Sequence, residues 1–211
     1  MKKLFLFIIS IYVVCTAKAQ KDADTQIAII REIGQVSAKI KSMECDFVQT
    51  KYISMLNEKM VSKGKMHFQQ PNKLRWEYLT PYTYTFIINA DKVKIENNNR
   101  VDIIDTNQNK VFKEISRIMM TSILGTCLSD DKLFKVSMMS ATTPNHEYVA
   151  TLIPKRKELK QTWDRLVLHF DIEKKLVSEV EMYEKNGDRT VIEIQHGITN
   201  GVIPPDLFKI D

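Results

Sequence analysis

Gly64-Lys65-Met66-His67-Phe68-Gln69-Gln70-Pro71-Asn72-Lys73-Leu74-Arg75-Trp76-Glu77-Tyr78 holds two alternating runs separated by a proline. From Lys59 to Gln69, Met60, Gly64, Met66 and Phe68 alternate with Val61, Lys63, Lys65 and His67. From Lys73 to Leu79, Leu74, Trp76 and Tyr78 oppose Arg75 and Glu77. Strand side chains point to opposite faces with period two, so each run has one apolar and one wet side. Pro71 falls between the runs, where a missing amide donor costs no ladder bond. Two neighbouring strands are therefore predicted, with His67 on the wet face.

The same period extends in both directions. Upstream lies a strand over Glu44–Tyr52, preceded by a helix over Thr25–Met43 in which Ile27, Ile30, Ile33, Val36, Ile40 and Met43 recur every three or four positions. Asp24 or Thr25 can cap it. Downstream, beyond Pro81, strands are predicted over Tyr84–Asn89, Lys92–Glu96 and Arg100–Ile104. Between Asn109 and Leu128 the spacing of Val111, Phe112, Ile115, Ile118, Met119, Ile123 and Leu124 turns helical, and Gly125 is a plausible stop. Alternation resumes over Leu133–Met139, Tyr148–Ile153, Trp163–Asp171, Leu176–Glu184 and Arg189–His196. Asn186-Gly187 joins the last two, and a type I′ turn is expected because that turn needs two residues tolerant of positive φ. The pattern as a whole is α+β and mainly β: a meandering antiparallel sheet of about ten or eleven strands, too many to stay flat, with helical segments against one face.

With 44% hydrophobic and 27% charged residues in 211, the chain has the composition of one folded domain, not of a disordered or polytopic membrane protein. Residues 1–19 read as a signal peptide: Met1, Lys2 and Lys3 precede an uncharged run from Leu4 to Val14, and Ala17-Lys18-Ala19 offers a small-x-small cleavage site. The run of about eleven residues is too short to span a bilayer. Residues 20–211 are then one domain. Three of the 31 basic residues and none of the 26 acidic ones lie in the leader, so its removal lowers the formal charge from +5 to +2. No basic, aromatic-interleaved stripe suggests nucleic acid. Cys45 and Cys127 would survive processing, either as one disulfide or as two buried thiols.

Catalytic spacing is missing. His67, His146, His169 and His196 form no metal-ligand pair, and there is no Gly-x-Ser-x-Gly, phosphate loop or Cys-x-x-Cys. His169 is expected on a wet strand face like His67, and Asp130-Asp131 in a solvated turn. Neither catalytic residue nor metal nor cofactor is expected. Apolar side chains are plentiful instead, many of them methionines, which re-pack around variable partners.

Taken with the flanking helix, the sequence resembles the periplasmic outer-membrane lipoprotein carrier (LolA-like) family. Ser42-Met43-Glu44-Cys45-Asp46-Phe47-Val48-Gln49 is similar to that family's helix followed by Phe-x-Gln, and the Gly64–Tyr78 stretch to its Gly-x-φ-x-φ and Pro-x-x-φ-Arg-Trp segments. Ile87-Ile88-Asn89-Ala90-Asp91 follows in the expected order. The resemblance implies an incompletely closed antiparallel β-barrel with helices lidding a hydrophobic cavity. It implies acyl-chain contacts at Phe47, Phe68, Leu74 and Trp76, extended by alternation to Met66, Phe86 and Ile88, and by helical spacing to Ile115, Ile118, Met119 and Leu124. The arginine that many members carry just before the motif's proline is here Gln70.

The function so implied is that of a periplasmic chaperone, a monomer needing no cofactor. It would take acylated lipoproteins from an inner-membrane donor complex to an outer-membrane acceptor. The alternatives are a carrier of another amphiphile, such as a glycolipid or polyene lipid, and a lipid sensor or enzyme using the cavity. Lys63, Lys65, Glu179 and Glu181 on the would-be lipid face argue against an outer-membrane barrel.

Overall fold

The computed structural model describes residues 24–97, 100–139 and 147–210; the signal peptide expected over 1–19 and His146 lie outside them. A first helix, α1, spans 24–37. Six strands follow: β1 (Ser42–Ile53), β2 (Glu58–Gln69), β3 (Lys73–Thr80), β4 (Tyr84–Asn89), β5 (Lys92–Asn97) and β6 (Arg100–Asp105). Helix α2 (Lys110–Ile123) leads through a 3₁₀ turn at Thr126–Ser129 into β7 (Phe134–Met139) and β8 (Glu147–Pro154). A short helix, α3 (Lys157–Thr162), precedes β9 (Trp163–Asp171), β10 (Val177–Glu184) and β11 (Arg189–Thr199).

All eleven strands form one antiparallel sheet in the order β6-β5-β4-β3-β2-β1-β11-β10-β9-β8-β7. Sequence neighbours pair from β1 to β6 and from β7 to β11, and β1 also takes β11, which joins the two halves of the meander. The edges β6 and β7 do not pair with each other, so the barrel is not closed. The chain crosses from one edge to the other through α2. The helical insert noticed in the sequence is thus the bridge between the sheet's two ends.

One boundary, one turn and one short helix depart from the sequence reading. The first helix ends at residue 37, not at Met43: the Ser37 hydroxyl donates to the Ile33 carbonyl at 2.8 Å, and from Ser42 the backbone is committed to pairing with both β2 and β11. Ile40 and Met43 are nevertheless buried, so their apolar spacing reports the core but not the helix. The Asn186-Gly187 hairpin forms without a type I′ turn. Only Gly187 has positive φ (91°), and Gly187 N–H bonds to Glu184 O at 3.1 Å, with the ladder bond Glu184 N–H to Asp188 O at 2.9 Å behind it. Helix α3, with six residues and only Leu159 buried, had too little apolar pattern to be read.

The interior divides in two. One cluster joins α1 to β7–β10 around Ile33, Phe134, Leu152, Leu168 and Phe170; the other joins α2 to β1–β5 around Phe47, Met66, Phe68, Leu74 and Trp76. Val180 and Met182 of β10 pack against both. At the end of α2, Gly125 sits at φ 69°, and a Cβ there would lie 2.6 Å from the Phe170 ring, so glycine is required both for the turn and for the close approach. Cys45 and Cys127 are buried, one in each cluster, and unbridged.

Candidate functional site

Strand register places the inward residues of β1–β5 in rows. Met43, Phe68, Leu74, Ile88 and Val93 are successive cross-strand partners, and Cys45, Met66, Trp76, Phe86 and Ile95 form the next row. The third row contains Phe47, Gly64, Tyr78 and Tyr84. With no side chain at Gly64, the Phe47 ring lies over it: a Cβ at residue 64 would be 2.5 Å from Phe47 Cζ and 1.9 Å from the Glu77 carbonyl oxygen. Phe47 also stacks on Trp76 and meets Tyr78 edge-on, with ring centroids 4.4 and 5.2 Å away.

Above these rows lies a cavity of about 240 Å³. Its walls come from both halves of the sheet, Met43, Gln49, Met66, Trp76 and Tyr78 on one side and Trp163, Leu166, Val177, Val180, Met182, Ile192 and Ile194 on the other. Ile115, Ile118, Met119, Ser122 and Ile123 of α2 roof it. Among the described residues no acidic or basic side chain lines it, so the space can hold a hydrocarbon without stranding a charge.

Helix α2 is strongly amphipathic and is fixed at several points. Asn109 caps it by accepting from Phe112 N–H at 3.3 Å. On its outer side Glu114 accepts from Arg156 Nη1 at 2.6 Å, and Arg117 bonds Asp130 beyond the helix end. The Ser37 hydroxyl of α1 reaches the Leu124 carbonyl, which ties the two helices. These are polar contacts at the rim, while the roof itself rests on the cavity through apolar side chains.

Of the residues singled out in the sequence, Met66, Trp76, Ile115, Ile118 and Met119 line the cavity. Phe47, Phe68, Leu74, Phe86 and Ile88 are buried in the same cluster behind or beside it, and Leu124 packs against that cluster at the C-cap of α2. The whole opposite wall on β9–β11 was not singled out, although the alternation of Leu166, Val180, Met182, Ile192 and Ile194 carried the signal.

The histidines correct the sequence reading. His67 is on the outward face yet 7% exposed, and burial, partly offset by the Glu44 carboxylate 3.6 Å from its Nε2, holds its pKa below the ordinary value. The same outer face of β3 and β4 is covered by the C-terminal turn Pro205–Phe208: Arg75 Nη1 donates to Leu207 O at 3.4 Å and Asn89 Nδ2 to Phe208 O at 3.0 Å. His169 is half-buried among Glu147, Glu179 and Glu181, and it offers with the last two a set of possible metal ligands within 4.8 Å of one another. Its ring nitrogens already meet Glu147 and Glu181 at 3.0 Å, and Glu181 also takes Tyr183 Oη and Arg189 Nη2. That is an ion-pair cluster on the outer surface in which carboxylates are in excess.

The sequence profile described as outer membrane lipoprotein carrier protein LolA matches residues 38–211. An outer-membrane lipoprotein carrier protein of Nitrosospira multiformis is 24% identical over 171 residues, covering 80% of this chain and 77% of the relative. Among solved structures, lipoprotein LppX of Mycobacterium tuberculosis superposes with a TM-score of 0.51 at 9% identity, over 86% of this chain and 98% of its own, which speaks to the fold alone. A LolA superfamily protein of Nitrosomonas europaea gives 0.45 at 8% identity, over 86% and 96%. A profile match over most of the chain, on an eleven-stranded open sheet lidded by a helix, places this protein in the LolA family of outer membrane lipoprotein carriers.

Proposed function

We propose that this protein is an exported chaperone that shelters the acyl chains of lipoproteins under α2 and carries them across the periplasm from the inner to the outer membrane. The observation that carries this reading is the uncharged cavity walled by both halves of the sheet and roofed by an amphipathic helix. Each methylene left in water costs about 0.8 kcal/mol, so an acylated protein does not leave a membrane unaided at a useful rate. A soluble apolar cavity removes that cost without any chemical step. The chain acts in this reading as a binding protein and not an enzyme, with no cofactor, and the energy of loading comes from an inner-membrane donor complex.

At about 240 Å³ the cavity is smaller than the roughly 300 Å³ at which small-molecule sites begin. Loading therefore requires α2 to lift. Ile115, Ile118 and Met119 travel with the helix, Met66 and Trp76 stay with the sheet, and Phe47, Phe68, Leu74, Phe86 and Ile88 back the fixed wall. Leu124 marks the end about which the helix swings. Non-directional apolar contacts suit a carrier, because the outer-membrane acceptor needs only a more favourable site to take the cargo.

The test is to incubate the purified protein, without residues 1–19, with energised spheroplasts and identify what leaves the membrane in complex with it. Acylated proteins are expected. Lipids without acylated protein would move the function to carriage of another amphiphile, and no released cargo would overturn the carrier reading.

A further inference from the structure

Hairpin turns ordinarily carry small polar residues, because nothing covers them. The turn between β1 and β2 does not. Met55 and Leu56, in the 3₁₀ turn Ser54–Leu56, are 93% and 59% exposed, and Met60 and Val61 at the start of β2 are exposed too. Pairing of β2 with β3 begins at Lys63 and Thr80, so Glu58–Ser62 run about 16 Å past the end of β3, at roughly 3.3 Å per residue. The projection is held in place. Tyr52 pairs with Arg189 of β11, the Ser54 N–H donates to Asp188 Oδ1 at 3.0 Å, and the Asn57 N–H closes the turn on Ser54 O.

Basic side chains collect at the same end of the sheet. Lys59 and Lys63 stand on β2. Lys157 and Lys160 stand on α3, whose last residue, Thr162, accepts the Lys185 N–H of the β10–β11 hairpin at 2.9 Å. All four lysines are exposed and make no ion pair among the described residues. The acids of that hairpin, Glu184 and Asp188, are taken by Lys51, which leaves Glu58 and Glu158 against the four. Two apolar side chains at a tip offer far less than the roughly 800 Å² that each partner gives to a stable protein interface. A bilayer asks for less: a protruding apolar group and a basic collar. We infer that this end of the barrel docks on a membrane carrying anionic phospholipids, with Met55 and Leu56 at the boundary of headgroups and acyl chains and the lysines on the phosphates. The inference rests on the lipid-carrier reading and adds the surface by which the carrier meets the bilayer. Trp163, which lines the cavity, pairs with Glu184 at this end, so docking turns that end of the cavity to the membrane.

The experiment floats the protein, without residues 1–19, with vesicles of phosphatidylethanolamine and phosphatidylglycerol and with vesicles of phosphatidylcholine alone. The wild type is expected to bind the anionic vesicles at least about fivefold better, and to lose most of that preference in about 0.5 M salt. The double variant Met55→Asp/Leu56→Asp should bind at least about tenfold less. Val202→Asp changes a residue that is 99% exposed at the opposite end of β11, and it should bind like the wild type. No binding by the wild type would overturn the docking edge and leave the apolar tip to a protein partner. Equal binding by the double variant, or an equal loss in Val202→Asp, would overturn it as well. Uptake of the uncharged fluorophore N-phenyl-1-naphthylamine, measured without vesicles, reads the cavity separately: uptake without docking removes the edge alone, and docking without uptake removes the carrier reading alone. Should the double variant not fold, Met55→Trp decides the question. With brominated phospholipid in the vesicles its added indole should be quenched beyond the wild-type signal, and unchanged fluorescence would overturn the inference.

Discussion

Phe47 lies 4.4 Å from Trp76, centroid to centroid, with the planes inclined by 32°, and it can do so only because the residue paired with it across the sheet, Gly64, has no side chain. The glycine of the sequence motif and the tryptophan twelve positions later are thus two parts of one packing unit. Gly64→Ala forces a Cβ into the Glu77 carbonyl and the Phe47 ring. The expected loss is about 3 kcal/mol in denaturant unfolding, at the upper end for overpacking because backbone as well as side chain must move. The variant should also bind lipid more weakly, since the displaced ring pushes Trp76 toward the cavity. Unchanged stability would mean that β2 and β3 are farther apart here than described.

A charge on the roof separates binding from folding. Met119 is only half-buried and lines the cavity from α2. Met119→Lys can hold its ammonium toward water in the absence of ligand, so unfolding should change by less than about 1 kcal/mol. With an acyl chain in place the same charge is trapped against hydrocarbon, and affinity should fall by at least about tenfold. An unaltered affinity in calorimetry would take Met119 out of the site.

The latch on α2 is Glu114, which receives Arg156 from the start of α3 and lies 3.9 Å from Arg117 one turn along the helix. Glu114→Ala leaves the apolar roof untouched. It should raise amide hydrogen exchange across α2 severalfold and speed ligand release, with little change in the exchange of β1–β3. Equal protection of α2 in both proteins would mean that the lid is held by its apolar face alone.

The fold was legible because all eleven strands are long enough to show alternation, and within each half of an antiparallel meander only sequence neighbours need to pair. The pairing of β1 with β11 was not legible, since nothing in Asp46, Phe47 or Val48 names Gln195, Ile194 or Glu193 as partners. The cavity was half legible. Alternation says that Phe68, Leu74, Trp76, Phe86 and Ile88 point inward, but only the height of each row under α2 decides that Trp76 meets open space while Leu74 is packed to 0% exposure. The motif also drew attention to β2 and β3 and away from the equally alternating β9–β11, which supply the other wall. His67 looked wet because alternation tells which face of the sheet a residue is on and not how far that face is covered.

Both described thiols should be inert in the native protein. Burial, reinforced by Asp46 and Glu44, pushes Cys45 up to about 12, and burial pushes Cys127 to about 12 despite the nearby Ser122 hydroxyl. Thiolate, not thiol, is the nucleophile, so Ellman's reagent should find neither on the minutes scale at neutral pH and both after denaturation. Fast reaction of either would show that its cluster opens.

The acidic cluster on the outer face gives stability a defined pH dependence. His169 on β9 is faced by Glu147 from β8 and by Glu179 and Glu181 from β10, with Tyr183 and Arg189 on Glu181 and Glu193 of β11 opposite Glu179. Burial disfavours the imidazolium, but the hydrogen bonds it donates to Glu181 and Glu147 outweigh it and hold the His169 pKa above its ordinary value. A group whose pKa is raised by folding contributes stability that is complete below its unfolded pKa of about 6.5 and is lost as pH rises through the folded one. Glu181 runs the other way. Burial raises its pKa, but His169, Tyr183 and Arg189 more than offset that, so its contribution is lost as pH falls through its lowered value. His169→Gln keeps a hydrogen-bonding side chain and removes the titration. It should therefore cost about 1 kcal/mol near pH 6 and progressively less toward about pH 9, read from denaturant midpoints at each pH. A penalty that does not change with pH would assign His169 to packing, since a neutral ring between Glu147 and Glu181 has no charge to lose.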